Sequence, residues 1–410
     1  MEPIQEENYI PQIPPGVSLE LFLCNLKLYR DTYSFFKLRG VKTLEQLINF
    51  RNYPQKQTPI EKKRFILIQN NLRAIRDELP KSDLNAQILY LINKPIVFES
   101  SVNLKGDLIL KEFKNSTNVP NYCLPTKFQS QNLKHNSLYS SNLTGKRIGK
   151  ISIEDDFINL KQLYLDDNRI QKIENLNLPN LEILSFANNY IRKIENLENL
   201  PNLQNLNVSN NLIQIFEGVG YNQRLQEIDL SNQYIPKFIN FVIRPQCVAP
   251  NNIIQNINLE NCNIIDPKGL VQFPYLRILN LKENSIYEMM DVLTVCKACI
   301  YLENINVLKN PFIQENKTTY RNFIIIACKN LNEIDEKEIT NNEKVYVNNL
   351  FMRKYAHTKE KKAPKPKQNN LSSGLTIQYI QRELNLQCQI LMIIINMEII
   401  MVINLNYFYF

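Results

Sequence analysis

The chain has no tryptophan, two histidines and nine glycines among its 410 residues. His135 and His357 stand in segments with the composition of a linker and a tail, which leaves little basis for histidine acid–base catalysis or for a histidine metal site. The sequence also lacks the glycine-rich loops that hold phosphate groups and the G-x-S-x-G turn that carries a nucleophilic serine. We therefore expect no enzymatic activity, no cofactor, no metal and no small-molecule substrate.

Neither sign of charge dominates. The 48 Lys and Arg residues against 40 Asp and Glu residues give a net charge of +8, which is low for a nucleic-acid-binding protein of this length. The eight cysteines are scattered, and the first residues lack a basic stretch followed by an apolar one. These features predict a reduced, cytoplasmic protein. Cys296 and Cys299 form a C-x-x-C pair without a second pair or a histidine cluster, so we interpret them as buried core thiols.

An internal repeat is the strongest feature of the sequence. The pattern L-x-x-L-x-L-x-x-N-x-I recurs with spacings of 21, 22, 22, 29, 22 and 26 residues. Its first positions are Leu160, Leu181, Leu203, Leu225, Ile254, Leu276 and Leu302. Each copy predicts a short strand, a turn and a helical or irregular return, and no copy can bury its apolar face alone. Residues 138–356 are therefore predicted to form an α/β leucine-rich-repeat solenoid, a horseshoe with a curved parallel sheet, with a degenerate half-repeat at its start and a C-terminal cap.

The ninth position of the repeat predicts a ladder of structural asparagines. These are Asn168, Asn189, Asn211, Asn284 and Asn310. Because an unpaired buried amide is costly, we expect each side chain to bond backbone groups of its own turn and of the adjacent one. Gln233 and Cys262 occupy this position in the fourth and fifth copies. The fourth copy is the longest, and we interpret its extra length as a protruding loop.

The third and fifth positions of each copy should face outward on the concave side, since side chains alternate along a strand. They are Gln162, Tyr164, Ile183, Ser185, Asn205, Asn207, Glu227, Asp229, Asn256, Asn258, Ile278, Asn280, Asn304 and Asn306. This polar, amide-rich face suits hydrogen bonding to a loop or helix of a partner protein, with Tyr164 and Ile183 as apolar anchors and Glu227 and Asp229 as an acidic pair. The alternative is a solvated face that reflects codon bias and binds nothing tightly.

The segment after the repeats carries a resemblance to known proteins. Its landmarks are Asn310-Pro311, Tyr320-Arg321, Leu331, Ile334, Asp335, Ile339 and Glu343. Together with the short repeat, they resemble the leucine-rich-repeat class of protein phosphatase 1 regulatory subunits, axonemal dynein light chain 1 and the spliceosomal A′ subunit. The stretch from Leu225 to Pro236 is most similar to the family of phosphatase 1 regulatory subunit 42.

This resemblance implies a cytoskeletal, ciliary or centrosomal scaffold or adaptor. Its candidate partners are the protein phosphatase 1 catalytic subunit and tubulin or axonemal proteins. An RNA-associated assembly subunit like the spliceosomal A′ protein is the alternative.

The N-terminal region has a different pattern. We expect disorder in residues 1–16 and an all-α domain over 17–80, where apolar residues recur at helical spacing. Thr58, Pro59 and Glu61 predict a capping box that starts the last helix. The run from Phe22 to Leu47 resembles a sterile alpha motif domain. Such domains join acidic to basic surfaces, but both corresponding surfaces are basic here, so the resemblance implies a heterotypic partner.

Residues 81–137 are polar and weakly periodic, so we expect an extended linker. Within it, Lys94, Ile96 and Phe98 match the short docking pattern for protein phosphatase 1, in which an extended segment adds to a sheet edge and two side chains enter pockets. The alternative is a strand that packs on the first repeat.

Residues 357–410 combine a basic linker with an apolar tail. The last 21 residues, 390–410, are long enough to span a bilayer, but Glu398 and three asparagines oppose it, so we do not expect a membrane partner. A tail-anchored adaptor, a partner-bound helix and an incorrectly translated end all remain open for this segment.

Overall fold

The computed structural model describes residues 17–360, apart from 52–53, 55–56, 77, 81–83, 99, 106–107, 110–137, 154–156, 249–251 and 318. The predictions for the N-terminal 16 residues, for most of the linker and for the tail from 361 onward, including the candidate membrane segment 390–410, lie outside the described residues. Residues up to Asn349 belong to one compact unit, and a second begins at Leu350.

Nine helices and fourteen strands occur within the described residues. The helices are α1 (Val17–Asn25), α2 (Tyr29–Lys37), α3 (Leu44–Asn49), α4 (Pro59–Ile75), α5 (Leu84–Asn93), α6 (Met289–Ala298), α7 (Pro311–Glu315), α8 (Tyr320–Ala327) and α9 (Asn341–Glu360). The first strands are β1 (Val102–Leu104), β2 (Ser140–Asn142), β3 (Ile148–Ile151), β4 (Gln162–Tyr164), β5 (Ile183–Ser185), β6 (Asn205–Asn207) and β7 (Ile215–Phe216). The others are β8 (Glu227–Asp229), β9 (Val242–Ile243), β10 (Asn256–Asn258), β11 (Ile278–Asn280), β12 (Asn304–Asn306), β13 (Glu333–Ile334) and β14 (Lys337–Glu338).

A ten-stranded sheet forms the inner wall of the solenoid, in the order β14-β13-β12-β11-β10-β8-β6-β5-β4-β2. All of its neighbours pair in parallel except β13 and β14. The register is the same from repeat to repeat, so that Leu163 lies opposite Leu184, and Leu184 opposite Leu206. From Leu163 in β4 to Ile305 in β12, these central side chains are at most 2% exposed and fill the core. The predicted α/β solenoid is confirmed.

In the seven strands β4, β5, β6, β8, β10, β11 and β12, the residue three positions after the strand adopts the left-handed conformation, with φ between 54° and 61°. These residues are Asp167, Asn188, Asn210, Asn232, Asn261, Glu283 and Lys309. Asn and Asp tolerate this region better than other residues with a Cβ, because their short side chains bond locally. The abundance of asparagine therefore has a conformational cause at this position.

The ninth-position side chains are buried and bridge neighbouring repeats. Asn189 Oδ1 accepts from the N–H of Ile170 at 3.0 Å, and its Nδ2 donates to the carbonyls of Leu165 and Phe186 at 2.9 and 3.1 Å. Asn168, Asn211, Asn284 and Asn310 make the same set of bonds. Gln233 reproduces it, whereas the Cys262 thiol only donates, to the carbonyls of Leu230 and Glu260. Each repeat is thus tied to the one before it.

Asp335 closes the C-terminal end of the sheet. Its Oδ1 accepts from the N–H of Val307 at 2.7 Å, and its Oδ2 accepts from the hydroxyl of Tyr320 at 2.8 Å. Arg321 makes a two-pronged ion pair with Glu343, which lowers the pKa of that carboxyl. The residues that suggested a cap in the sequence therefore bond to one another.

The long fourth copy packs against its neighbours, where we expected a protruding loop. β7 and β9 pair in parallel, and Phe241 and Ile243 are 2% and 5% exposed. The ring of Phe216 stacks on that of Phe273 at 5.7 Å. Gly269 lets the chain approach β9, because a Cβ at this residue would lie 2.5 Å from the carbonyl oxygen of Ile243. The extra residues thus add a short second sheet, since their apolar side chains are buried.

The N-terminal helices, α1 to α5, surround a core of their own. Phe36, Leu44 and Ile68 are at most 1% exposed within it. The predicted capping box of Thr58 and Glu61 starts α4, and a second box starts α3. The same core extends to Leu212 of the solenoid. The N-terminal helices therefore pack directly on the repeats.

Part of the segment 81–137, expected to be an extended linker, is folded. Leu91 of α5 and Ile96 are 3% and 6% exposed and belong to the core of the N-terminal helices. β1 pairs in parallel with β3 at the start of the solenoid. The expectation was wrong for residues 84–98 and 100–104, because the polar average of the long segment concealed a short apolar stretch.

Candidate protein-binding surface

The concave face of the sheet forms an open groove of about 490 Å³. Eleven of the residues predicted to face the concave side line this groove: Tyr164, Ile183, Ser185, Asn205, Asn207, Glu227, Asp229, Asn256, Asn258, Ile278 and Asn280. Gln162 lies at the same face in β4, and Asn304 and Asn306 lie in β12, outside the lining of this groove. Strand alternation thus brings most of the predicted concave residues together.

The fifth-position Asn and Asp side chains already have a bond within the chain. Asn207 Oδ1 accepts from the N–H of Ser209 at 3.0 Å, and Asp229 Oδ1 accepts from that of Ser231 at 2.8 Å. Asn258, Asn280 and Asn306 close their turns in the same way. These oxygens hold the turn after each strand, as Asn and Asp commonly do. Asn207 and Asn258 therefore offer a partner their side-chain N–H groups, whereas Asp229 offers its second carboxylate oxygen.

Glu227 is the polar centre of the groove. Its exposed carboxylate accepts from the side-chain amides of Asn205 at 2.5 Å and Asn256 at 2.7 Å, which come from the strands on either side. Asp229 lies two residues along the same strand. No Lys, Arg or His is among the residues that line the groove. The centre of the groove therefore attracts a cation.

Two isoleucines flank this centre. In the order of strands, Ile183 on β5 and Ile278 on β11 each lie two strands from Glu227 on β8. Neighbouring strands are about 4.8 Å apart, so each isoleucine lies roughly 10 Å from the glutamate. Ile278, the first residue of β11, is 44% exposed and lines the groove with an aliphatic side chain. Across the strands, the groove thus presents an apolar side chain (Ile183), then an acidic one (Glu227), then a second apolar one (Ile278).

The N-terminal helices lie along the turns that follow the strands. Lys27, between α1 and α2, donates from Nζ to Asn188 Oδ1 at 3.1 Å and to the carbonyl of Asn210 at 2.5 Å. Its ammonium also faces the rings of Tyr190 and Tyr234. Burial lowers the pKa of Lys27 to about 7. The sequence does hold a signal for this contact, since Tyr190 and Tyr234 stand at the same repeat position in two copies.

The candidate phosphatase-docking residues are packed within the chain. Ile96 is 6% exposed, and both its N–H and its carbonyl bond the side chain of Gln171. The ring of Phe98 lies 4.9 Å from that of Tyr190, and Lys94 pairs with Glu78. In this arrangement the segment is a peptide that packs on the repeats, so docking to a phosphatase would first require it to leave them.

The part of the chain that the structure describes holds no group of three or more His, Cys, Asp or Glu side chains arranged for a metal ion. None of the helices in this part is long and apolar enough to cross a bilayer. Cys296 and Cys299 are both 1% exposed, and burial raises the pKa of the Cys299 thiol to about 12. A thiol in such surroundings is a poor nucleophile.

Comparison with known proteins agrees with this geometry. The family described as Leucine Rich repeats (2 copies) matches residues 158–199. The chain contains leucine-rich repeats. Proteins of this kind are typically non-enzymatic and generally act in protein–protein interaction. A search of curated proteins finds no significant match.

Several solved leucine-rich-repeat structures resemble the chain at low identity. The leucine-rich repeat domain of APL1B is 18% identical over 46% of this chain and 52% of its own, with a TM-score of 0.31, so the chain spans about half the length of that protein. Internalin C2 from Listeria monocytogenes is 14% identical over 55% of this chain and 91% of its own, with a TM-score of 0.39. A chain of the Drosophila melanogaster SNF/U2A′ complex is 18% identical over 64% of this chain and 99% of its own, with a TM-score of 0.19.

Proposed function

We propose that this protein is a non-enzymatic scaffold whose concave groove holds a segment of a partner protein. One observation carries the proposal: the exposed carboxylate of Glu227 is fixed by two flanking amides at the centre of a groove whose lining contains no basic side chain. Such a fixed acceptor loses little conformational entropy on binding, which favours recognition of a partner.

The chemistry of the groove defines the segment that fits it. A Lys or Arg side chain would lie over Glu227 and Asp229, and Arg would make the stronger, two-pronged bond. Apolar side chains roughly 10 Å to either side would cover Ile183 and Ile278. A helix that crosses the strands places residues seven apart at about this spacing, since it rises 1.5 Å per residue.

A role as a phosphatase 1 regulatory or cytoskeletal adaptor is the finer form of this proposal. The partner would then be the phosphatase catalytic subunit, tubulin or an axonemal protein, at the cytoskeleton, centrosome or cilium. Because Ile96 is buried, we place partner recognition in the groove rather than in the segment of Lys94, Ile96 and Phe98. No observation favours the RNA-associated or the tail-anchored alternative.

The test is affinity capture from cell extract with the full chain, read by mass spectrometry. Glu227→Gln with Asp229→Asn removes two charges from the groove while an amide oxygen remains at each position, as in the neighbouring strands. Glu198→Gln with Glu315→Gln removes two exposed charges elsewhere and serves as the control. A partner retained by the control but reduced at least about tenfold by the groove variant supports the proposal. If the groove variant captures the same proteins as the unaltered chain, the groove does not bind them.

A further inference from the structure

The positive charge of the chain is concentrated in its N-terminal helices. Residues 17–80 contain twelve Lys and Arg against six Asp and Glu, which leaves +6, whereas residues 138–356 contain 23 against 24. The solenoid is therefore close to neutral, and its groove is acidic. The N-terminal helices present the opposite charge, so they suit a partner of different chemistry from the one that the groove suits.

The acidic residues of these helices are mostly engaged inside the chain. Asp31 pairs with Arg64 at 2.8 Å. Glu61 accepts from the N–H and the hydroxyl of Thr58 in the capping box. Glu78 bonds Lys94 and Tyr90, and Glu20 accepts from the N–H of Lys237 in the solenoid. Glu78 lies only two residues beyond Arg76, but it pairs with Lys94, so it forms no ion pair with the exposed arginines Arg51, Arg73 and Arg76.

Two of those arginines converge on one oxygen atom. Arg51 donates to the carbonyl of Ile48 at 3.2 Å, and Arg76 donates to the same carbonyl at 3.5 Å. Arg51 also reaches the carbonyl of Phe50. Both side chains are exposed, and neither forms an ion pair with a carboxylate among the residues that the structure describes. A single arginine would satisfy the Ile48 carbonyl at the end of α3, so the second one brings a like charge close to the first without adding to the cap.

The guanidinium groups keep most of their hydrogen-bonding capacity. Each has five N–H donors, of which the chain uses only a few here. Arg73 lies in the last turn of α4, three residues before Arg76, which follows the helix and keeps helical backbone angles. This spacing places both side chains on the same face. This arrangement combines fixed positive charge with donors that have no acceptor in the chain.

We propose that Arg51 and Arg76, supported by Arg73, form a docking site for an acidic segment of a partner protein. A carboxylate would accept from both guanidinium groups at once, in the geometry that arginine and carboxylate favour. The site lies where α3 and α4 end, and helix C-termini carry partial negative charge. A doubly charged phosphate group is disfavoured there more than a singly charged carboxylate.

The surface of the N-terminal helices as a whole also favours a protein over a nucleic acid. Leu38 and Ile60 of the N-terminal helices are 85% and 64% exposed. Among the described residues of 17–80, no aromatic side chain is exposed, so the surface offers no platform on which bases could stack. Exposed aliphatic and basic side chains together suit an acidic segment that also carries apolar residues.

Fluorescence anisotropy with the full chain tests the site. The probe is a labelled twelve-residue peptide of glutamates with a leucine at every fourth position, and a twelve-nucleotide oligouridylate and inorganic phosphate are titrated separately. Arg51→Gln with Arg76→Gln should weaken peptide binding about tenfold, as expected for two partly exposed ion pairs. The control, Lys172→Gln with Arg224→Gln, removes two exposed charges from the solenoid and should change binding less than twofold. The peptide affinity of the variant Arg51→Lys with Arg76→Lys should lie between the affinities of the glutamine variant and of the control.

Three outcomes would overturn the proposal. The unaltered chain may bind the oligonucleotide in preference to the peptide, the control may lose as much binding as the arginine variant, or the peptide may not bind at all. Arg73→Gln provides a second test if the double variant unfolds, because no bond to another described residue would be lost. It should weaken peptide binding about threefold without lowering the melting temperature, and unchanged binding in a folded Arg73→Gln chain would equally count against the site.

Discussion

The ammonium group of Lys27 lies 4.7 Å from the centre of the Tyr190 ring and belongs to a residue whose φ of 57° is left-handed. The ring of Tyr234 lies 5.3 Å away on the next but one repeat. A cation over an aromatic face is stabilised by about 0.5–2 kcal/mol, more where water is excluded. One side chain in the turn between α1 and α2 thus joins the N-terminal helices to three successive repeats.

This contact predicts a dependence of stability on pH. Burial lowers the pKa of Lys27 from 10.5 to about 7, so the folded chain binds fewer protons than the unfolded chain between these values. The free energy of unfolding should then rise with pH in this window. We expect a gain of about 2 kcal/mol from pH 7 to pH 9, measured by urea unfolding. Lys27→Met should flatten this rise, and an unchanged pH profile in that variant would show that Lys27 is not its source.

The ninth-position ladder predicts a large local cost. Asn189→Ala removes the acceptor of the buried Ile170 N–H. It also removes one of two amide donors from each of the carbonyls of Leu165 and Phe186, which keep their bonds from Asn168 and Asn211. An unsatisfied buried group costs about 1–3 kcal/mol, so we expect a loss of about 3 kcal/mol in urea unfolding. Asn205→Ala, on the concave surface, is the matched control and should cost less than about 1 kcal/mol. Equal losses would mean that the buried position has no special role.

The C-terminal cap predicts a coupling between two residues. Tyr320→Phe removes the hydroxyl that Asp335 accepts, and Asp335→Ala also removes the acceptor of the Val307 N–H. We expect losses of about 1 and 3 kcal/mol, and a double variant that loses less than their sum because the two changes share one bond. Hydrogen exchange at Val307 should accelerate in Asp335→Ala and change little in Tyr320→Phe. Additive losses would contradict the shared bond.

The segment around Ile96 predicts a difference between neighbouring residues. Ile96 is buried in the core of the N-terminal helices, whereas Val97 is 41% exposed. Ile96→Ala should therefore lower the free energy of unfolding by about 2–3 kcal/mol, and Val97→Ala by less than about 0.5 kcal/mol. Thermal unfolding of both variants measures this difference. If Ile96→Ala leaves stability unchanged but abolishes capture of phosphatase 1, the residue is a docking element and not part of the core.

Periodicity made the solenoid predictable from the sequence. Leu163 and Leu184 occupy equivalent positions in successive copies, and the alternation of a strand then places Glu227 and Ile278 on the concave face. The turn geometry was less accessible, because the role of Asn207 and Asp229 in closing their turns depends on a left-handed residue three positions after the strand. Nothing in the spacing of the repeat distinguishes such an oxygen from one that faces a partner.

The contacts of the N-terminal helices could not be derived in this way. Lys27 and Asn188 are 161 residues apart. Lys27 belongs to a region with helical spacing of apolar residues, whereas Asn188 belongs to the repeat array. Ile96 stands in a segment whose average composition is polar. Pairings of this kind depend on the shapes of two folded surfaces, which one sequence does not reveal.

The curvature of a solenoid is ordinarily flexible, because its radius changes when successive repeats move apart or together. The helices that Lys27 and Leu212 attach to the turns of this solenoid act as a brace along one rim, and they fix the separation of the repeats that they cover. The curvature beside Glu227 is then set before any partner arrives. A ligand of this stretch must match a given radius, and shape selects among candidate partners as strongly as charge does.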